Sequence, residues 1–416
     1  MVTGTALPRL VVETREIDPV EDLLLHTTAD RPLVWQRRGD GFVGAGSRHT
    51  VELTGALDAL ELGERWREFA ATVDIDDPVG VPGTGLVAFA ALAFDGRSSS
   101  STFIVPDRIV GRRDGRAWVT RIRRVDEPWP DAPAPVPYGP HWSATLGPGA
   151  QTPERYLDAV RGALAAIAAG EVSKVVMARD VVGAIPVGAD LRRLVRALAS
   201  DYPDTWAFAV DGLIGASPET LVTVHGGTVT ARVLAGTAAR GADPDADVAA
   251  ATALATSTKD QDEHQYAVRS VLAALEPHTR LLAAAEQPFT LKLPNVWHLA
   301  TDVEGRLSDA ASALDLVTAL HPTAAVAGTP TPAAMTVIRR LEAFDRGRYA
   351  GPVGWIDANG DGEWAIALRC AQFGPAGADG IPLTAYAGAG IVAGSDPEAE
   401  LLETRVKFRP IIDALA

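Results

Sequence analysis

Three ionisable side chains near the C-terminus, Glu400, Glu403 and Lys407, stand at i, i+3 and i+7. On a helix that spacing puts two carboxylates and an ammonium on one face. Two like charges on adjacent turns invite a cation; the plain alternative is a solvated face with a Glu403 to Lys407 ion pair. A third carboxylate, Glu263 in Lys259-Asp-Gln-Asp-Glu-His264, falls in the first turn of a helix predicted from about Lys259 to Leu275. Oxygen donors on helices, with no cysteine and no histidine pair at ligand spacing, suit Mg²⁺ better than zinc.

Lys174 sits in the apolar run Val172-Ser-Lys-Val-Val-Met177 and either snorkels at a strand edge or is held in a site. Glu219, in Gly215-Ala-Ser-Pro-Glu-Thr220, follows Pro218 at a bend between strands, where a turn carboxylate would also be at home. Desolvation lowers a lysine pKa from about 10.4 and raises a glutamate pKa from about 4.3, so such a pair enclosed together can act as base and acid near pH 7. Spacing alone does not bring the two together. Arg369 lies on a predicted apolar strand, Trp364 to Ala371. A buried guanidinium there demands an anion, either a carboxylate side chain or a substrate. Tyr349, Thr237 and the Gly388 to Gly390 backbone are candidates to complete an oxyanion pocket, because glycines let N–H groups face an anion. Their ordinary readings are a packed aromatic, a strand-end hydroxyl and a tight turn.

Two motifs are decoys. Asp357-Ala-Asn-Gly-Asp-Gly362 opens like a calcium loop, but Leu368 stands where the bidentate carboxylate belongs. Gly388-Ala-Gly-Ile-Val-Ala393 follows a strand like a dinucleotide fingerprint, yet too few residues remain for the second strand of that unit.

The elements that must position these groups read as an α+β order without steady βαβ alternation. Thr152-Pro-Glu opens a helix to about Ala169, with Thr as N-cap and Pro tolerated in the first turn. Val172 to Val182 alternates as a strand, and turn residues at Asp211-Gly212 and His225-Gly-Gly227 mark antiparallel hairpins. Helices follow at Ala333 to Phe344 and about Pro397 to Asp413, with a hairpin from Val353 to Cys370 between them. Upstream, Leu33 to Gln36, Gly85 to Phe94 and Phe103 to Val105 read as strands and Leu57 to Thr72 as a helix. The Pro-rich run 128–149 divides an N-terminal lobe, residues 1–127, from residues 150–416, where all the candidate chemistry lies.

A formal net charge of −15 argues against nucleic-acid and anionic-membrane partners. The lone cysteine, Cys370, excludes an internal disulfide and a Cys-based zinc site, so a reducing, cytoplasmic home is expected. The N-terminus has no signal-like apolar run, and the uncharged stretch Leu316 to Ile338 is broken by prolines and a glycine.

Read together, the segments resemble the chorismate-utilising family of isochorismate, salicylate, anthranilate and aminodeoxychorismate synthases. The resemblance rests on nine motifs in order over Thr152 to Ala416: Ser173-Lys-Val-Val, Gly215-Ala-Ser-Pro-Glu219, Leu234-Ala-Gly-Thr237, Lys259-Asp-x-x-Glu-His264, His298-Leu, His321-Pro-Thr, Tyr349-Ala-Gly-Pro-Val-Gly-Trp355, Ala389-Gly-Ile-Val and Glu400-x-x-Glu-Thr404-x-x-Lys407. It implies two antiparallel sheets layered between helices, with the N-terminal segment contributing. It also implies Mg²⁺ held by Glu263, Glu400 and Glu403 and bridging to the ring carboxylate of chorismate. Gly236, Thr237, Lys407 and the Gly388, Ala389 and Gly390 amides would hold that carboxylate, Arg369 and Tyr349 the enolpyruvyl carboxylate, and His298 would lie close to the ring. Lys174 and Glu219 are then the implied base and acid. Ala235, where aminodeoxychorismate synthases carry a lysine, argues against that reaction, and Lys174 implies water rather than ammonia as nucleophile, so no glutaminase subunit is expected. Ala325, where related salicylate synthases carry a hydroxyl, favours isochorismate as product, for menaquinone or siderophore synthesis. Salicylate formation is the alternative, and a non-catalytic chorismate-binding protein the remote one.

Overall fold

The computed structural model describes residues 9–54, 59–96, 100–131, 134–293 and 296–416; the side chains of residues 54, 59–61 and Glu263 fall outside the description, as do Leu57 and Asp58 of the expected first helix. Among the described residues two large sheets carry the fold. The first has thirteen strands, in spatial order Leu146–Pro148, Lys174–Ile185, Ile381–Ile391, Cys370–Phe373, Leu213–Ser217, Trp206–Val210, Leu33–Arg37, Asp40–Ala45, Arg108–Arg113, Arg116–Arg124, Leu10–Ile17 and Asp74–Asp76, with Gly328–Thr329 beside Lys174–Ile185. The second has ten, running from Thr279–Ala284 through Val296–Leu307, Thr228–Ala239, Thr220–His225, Gly362–Ile366 and Pro352–Asp357 to the N-terminal strands Val87–Ala91, Ser100–Val105 and His49–Thr54, with Phe289–Lys292 also against Val296–Leu307. Apart from the parallel contact of Leu10–Ile17 with Asp74–Asp76, the pairings in both are antiparallel. This is the α+β architecture expected of the sequence.

Both sheets run without a break from N-terminal to C-terminal strands. The Pro-rich run between them in sequence is tied down: Val136 N–H donates to Leu25 O, Trp142 Nε1 to Asp190 O, and Leu146–Pro148 joins the larger sheet. Strand alternation sorts the core into two layers. Leu33 and Trp35 join the layer that contains residues of both sheets, whereas Val34 joins the layer beneath the helices Arg192–Asp201 and Pro397–Leu415. Glu363 clamps the sheets together. Trp35 Nε1 from the first sheet donates to it at 2.7 Å and Trp355 Nε1 from the second at 3.2 Å, with Arg113 and His225 each at 3.0 Å. Burial pushes this carboxyl up, but His225, Arg113 and Trp35 more than cancel that and hold it at about 2.

The helices start where their caps dictate. Thr152 accepts from Arg155 N to open Pro153–Ala168, Ser257 accepts from Asp260 N to open Thr258–Leu275, and Asp396 accepts from Ala399 N to open Pro397–Leu415. The helices Arg192–Asp201, Pro244–Thr256 and Ala313–Leu320 were not legible in the sequence. The last is apolar almost all round and buried, so it carries no amphipathic stripe. No described helix is long and apolar enough to cross a membrane.

The chain passes between the sheets at two adjacent points, and these matter for function. Leu213–Ser217 belongs to the larger sheet and Thr220–His225 to the smaller, so Pro218-Glu219 is a crossover; Ala367 to Arg369 is the return crossover, between Gly362–Ile366 and Cys370–Phe373. The two are stitched together by Ile366 N–H to Glu219 O at 3.1 Å, Ser217 Oγ to Ile366 O at 2.5 Å and Ala216 N–H to Arg369 O at 3.1 Å. The expected continuous strand Trp364 to Ala371 is therefore corrected. It breaks before Arg369, whose φ of 50° lies in the left-handed region, outside regular strand geometry.

Candidate active site

The two crossovers, the head of Lys174–Ile185, the end of Ile381–Ile391 and the last helix surround a cavity of about 150 Å³. Lys174, Glu219, Gly236, Thr237, His298, Tyr349, Arg369, Gly388, Gly390, Glu400, Glu403 and Lys407 all line it. Two of the site residues singled out in the sequence are not among these. Glu263 lies on the helix Thr258–Leu275 with its side chain outside the described residues, and Ala389 turns away, as explained below. Lys259, Asp260 and Arg346 also line the cavity and had been given no role. For Arg346 a signal existed: Glu342 and Arg346 stand at i, i+4, and in the structure they form a buried pair at 2.6 Å. Arg346 also donates to Val176 O and Val326 O, bracing the Lys174 strand against the loop that holds Ala325.

Lys174 is nearly buried where its strand begins, with Ser173 and Lys174 held by the bridge to Gly328–Thr329. Glu219 is buried too, and burial pushes its carboxyl up to about 7 against the pull of Lys174, Arg369 and Lys407. Among the described residues no group hydrogen-bonds the Glu219 carboxyl, so its proton is available to a guest. Arg369 likewise has no carboxylate partner within ion-pair distance among the described residues. Burial lowers its pKa, yet a guanidinium stays charged. It is a cation waiting for an anion.

Thr237 reaches the cavity through a bulge. The register against Val296–Leu307 shifts between Ala235 and Thr237, and Gly236 takes φ +81°, which turns Thr237 toward His298. Thr237 Oγ1 lies 3.0 Å from His298 Nδ1, and His264 pins the bulge from behind through Ala235 O at 3.1 Å and Thr301 Oγ1 at 2.7 Å. Burial, with Arg369 and Lys407 nearby, drives His298 down to about 3, so the ring is neutral; its buried Nε2 has no partner among the described residues.

The glycine edge follows from ladder geometry. Val176 N–H donates to Ala327 O and Ala178 N–H to Glu342 Oε1, so neither bonds to its partner across the strand pair. Their partners, Gly390 and Gly388, must then turn their own N–H and C=O groups to the opposite edge, where Lys407 Nζ donates to Gly388 O at 3.0 Å. Ala389, paired with Met177, spends its amide on the ladder. The expectation of three anion-facing amides is corrected to two, Gly388 and Gly390.

Gly388 is also required by space. A Cβ there would stand 2.9 Å from Met177 O and 3.2 Å from Tyr349 Oη. Tyr349 cannot yield freely, because its ring stacks on Tyr386 at 5.1 Å; burial keeps its phenol a neutral donor. Gly388→Ala should cost about 1–3 kcal/mol of fit, seen as a lower Tm and a rise in substrate KM of about tenfold or more. Steady-state kinetics and a thermal melt check both.

The last helix presents the acidic corner. Lys407 Nζ meets Glu403 at 2.5 Å, so the simple ion pair does form. Glu400 is buried, and burial, helped by the charge of Glu403 and offset by a Ser395 hydrogen bond, pushes its carboxyl up. Two carboxylates on adjacent turns face the cavity, with Lys407 and Lys259 near Glu400, and their all-oxygen donor set fits a hard divalent cation. No cluster of three or more metal-ligating side chains occurs among the described residues, from which Glu263 is excluded.

Comparison with known proteins agrees with this geometry. Residues 140–416 match the family described as chorismate binding enzyme. The chain is 42% identical over 275 residues to isochorismate synthase DhbC of Bacillus subtilis, covering 63% of this chain and 68% of that protein. It is 31% identical over 446 residues to the salicylate biosynthesis isochorismate synthase of Pseudomonas aeruginosa, covering 98% and 90%. Among solved structures it resembles MenF, the menaquinone-specific isochorismate synthase of Escherichia coli, with a TM-score of 0.79 and 25% identity over 99% of this chain and 96% of that one. The motifs, the fold and the cavity they line have one explanation: this chain belongs to the chorismate-binding enzyme family.

Proposed function

We propose that the chain is an isochorismate synthase, converting chorismate to isochorismate by attack of water at C2 and loss of the C4 hydroxyl. The observation that carries the reading is that Lys174 and a Glu219 carboxyl poised at about 7 line one cavity also bearing an uncommitted Arg369. Lys174, in its neutral form, takes the proton of the attacking water, and Glu219 protonates the departing hydroxyl. Arg369 and Tyr349 hold the enolpyruvyl carboxylate; Thr237, Lys407 and the Gly388 and Gly390 amides hold the ring carboxylate, with His298 beside the ring.

Glu400 and Glu403, with Glu263, would hold Mg²⁺, which when bound neutralises the ring carboxylate and fixes the ring for attack. Stripping the protein with EDTA should abolish turnover, and added Mg²⁺ should restore it. Full activity after metal removal, verified by elemental analysis, would remove the metal from the reading.

Within the family, Ala235 and Ala325 both line the cavity with methyl groups. The first offers no nucleophile, and the second no hydroxyl toward the ring, which supports isochorismate over salicylate. Product chromatography after incubation with chorismate and Mg²⁺, without ammonia, tests the proposal. Isochorismate in equilibrium with chorismate is the expected result. Salicylate with pyruvate would make the chain a salicylate synthase, and unchanged chorismate would overturn the enzymatic reading.

A further inference from the structure

An acid that gives up its proton in every turnover must recover one, and Glu219 is buried with substrate in front of it. Glu219 and Ala325 line not only the main cavity but also a second void of about 10 Å³, which is room for about one water molecule. Thr323 lines this void, is 7% exposed, and its Oγ1 has no hydrogen-bond partner among the described residues. It belongs to the His321-Pro-Thr motif, to which substrate binding gives no task. Thr220 and Ala231 also line the void, and both in turn line a surface crevice beside Arg37 and Trp206. Thr220 Oγ1 accepts from Trp206 Nε1 at 2.9 Å, leaving its own hydrogen to donate.

We propose that this void holds a single water, fixed by Thr323 Oγ1, through which a proton passes from the crevice to Glu219 after each turnover. The inference rests on Glu219 being the general acid. The balance is simple: each forward turnover leaves Lys174 with one proton more and Glu219 with one fewer, so solvent takes one from Lys174 and returns one to Glu219. Thr323 is a positioning residue, acting through the water. Because the relay follows chemistry, its loss slows later turnovers and spares the first.

Rapid-quench kinetics of Thr323→Val with excess chorismate and Mg²⁺ test this. The expected result is a first turnover at the wild-type rate followed by a steady-state rate lower by about tenfold, less than the loss of the acid itself. Added small buffer acids should raise the slow phase, and Thr323→Ser should rescue it by restoring the hydroxyl. A steady-state rate equal to wild type, or an equal loss in first and later turnovers, would overturn the relay. Should the valine variant not fold, Ala231→Val narrows the void from the crevice side and carries the same comparison. Glu219→Gln separates the two readings. If it loses the first turnover while Thr323→Val has no effect, only the relay fails; if it keeps the first turnover, the acid assignment fails with it.

Discussion

Lys174→Ala should lower the turnover of chorismate by about 10²–10⁴, the loss expected when a general base is removed, with little change in KM. The fold should survive, since the strand head is held by backbone pairing with Gly328–Thr329. Alanine alone does not separate a base from a positive charge that steers the substrate carboxylates. Lys174→Arg does, because a guanidinium keeps the charge but cannot give up its proton to serve as a base. Arginine should therefore be as inactive as alanine, measured as initial rates of isochorismate formation at saturating Mg²⁺. An arginine variant close to wild type would make Lys174 an electrostatic anchor and leave the attacking water without this base.

The contrast between Lys174 and Arg369 says what the sequence could and could not reveal. Local pattern was enough to find the strand that carries Lys174, the Thr152 cap and the i, i+3, i+7 face of the last helix, because each depends on neighbours within a few residues. Ordered motifs then identified which residues belong together. Pattern failed where the chain changes sheets. Apart from Arg369, Trp364 to Ala371 is apolar and holds no glycine, proline or other turn residue to mark the break at Ala367 to Arg369, which is imposed by Gly215 pairing with Cys370 in one sheet and Thr220 with Ala365 in the other. That crossover aims Arg369 into the cavity, and the neighbouring one does the same for Glu219. The division of work between Gly388, Ala389 and Gly390 was equally invisible, because it depends on which amides of the partner strand find other acceptors. Long-range pairing, not residue preference, fixed each of these.

Glu219→Gln should give a protein that is more stable and nearly inactive. A carboxyl displaced by burial from 4.5 to about 7 carries a penalty on its charged form of about 3 kcal/mol. The sign follows from proton counting. Between pH 4.5 and 7 the unfolded chain has lost this proton and the folded chain retains it, so stability falls as pH rises through that window, and the penalty is complete above pH 7. Glutamine carries no charge at any pH. Its Tm should exceed that of wild type at pH 8, and the difference should close toward pH 5, where the wild-type carboxyl is protonated as well. Turnover should fall by about 10²–10⁴, as glutamine has no proton to give the departing hydroxyl, and the wild-type rate should itself decline above about pH 7 as the acid form disappears. Melts across this pH range, run beside rate profiles, test the two halves separately. Retained activity would remove Glu219 as the acid. Coincident melting curves at pH 8 would mean that Lys174, Arg369 and Lys407 fully offset the burial of the charge, and the carboxyl would then be ionised at neutral pH and unable to protonate anything. Stability given up at one buried carboxyl and catalytic competence are, on this reading, the same physical fact.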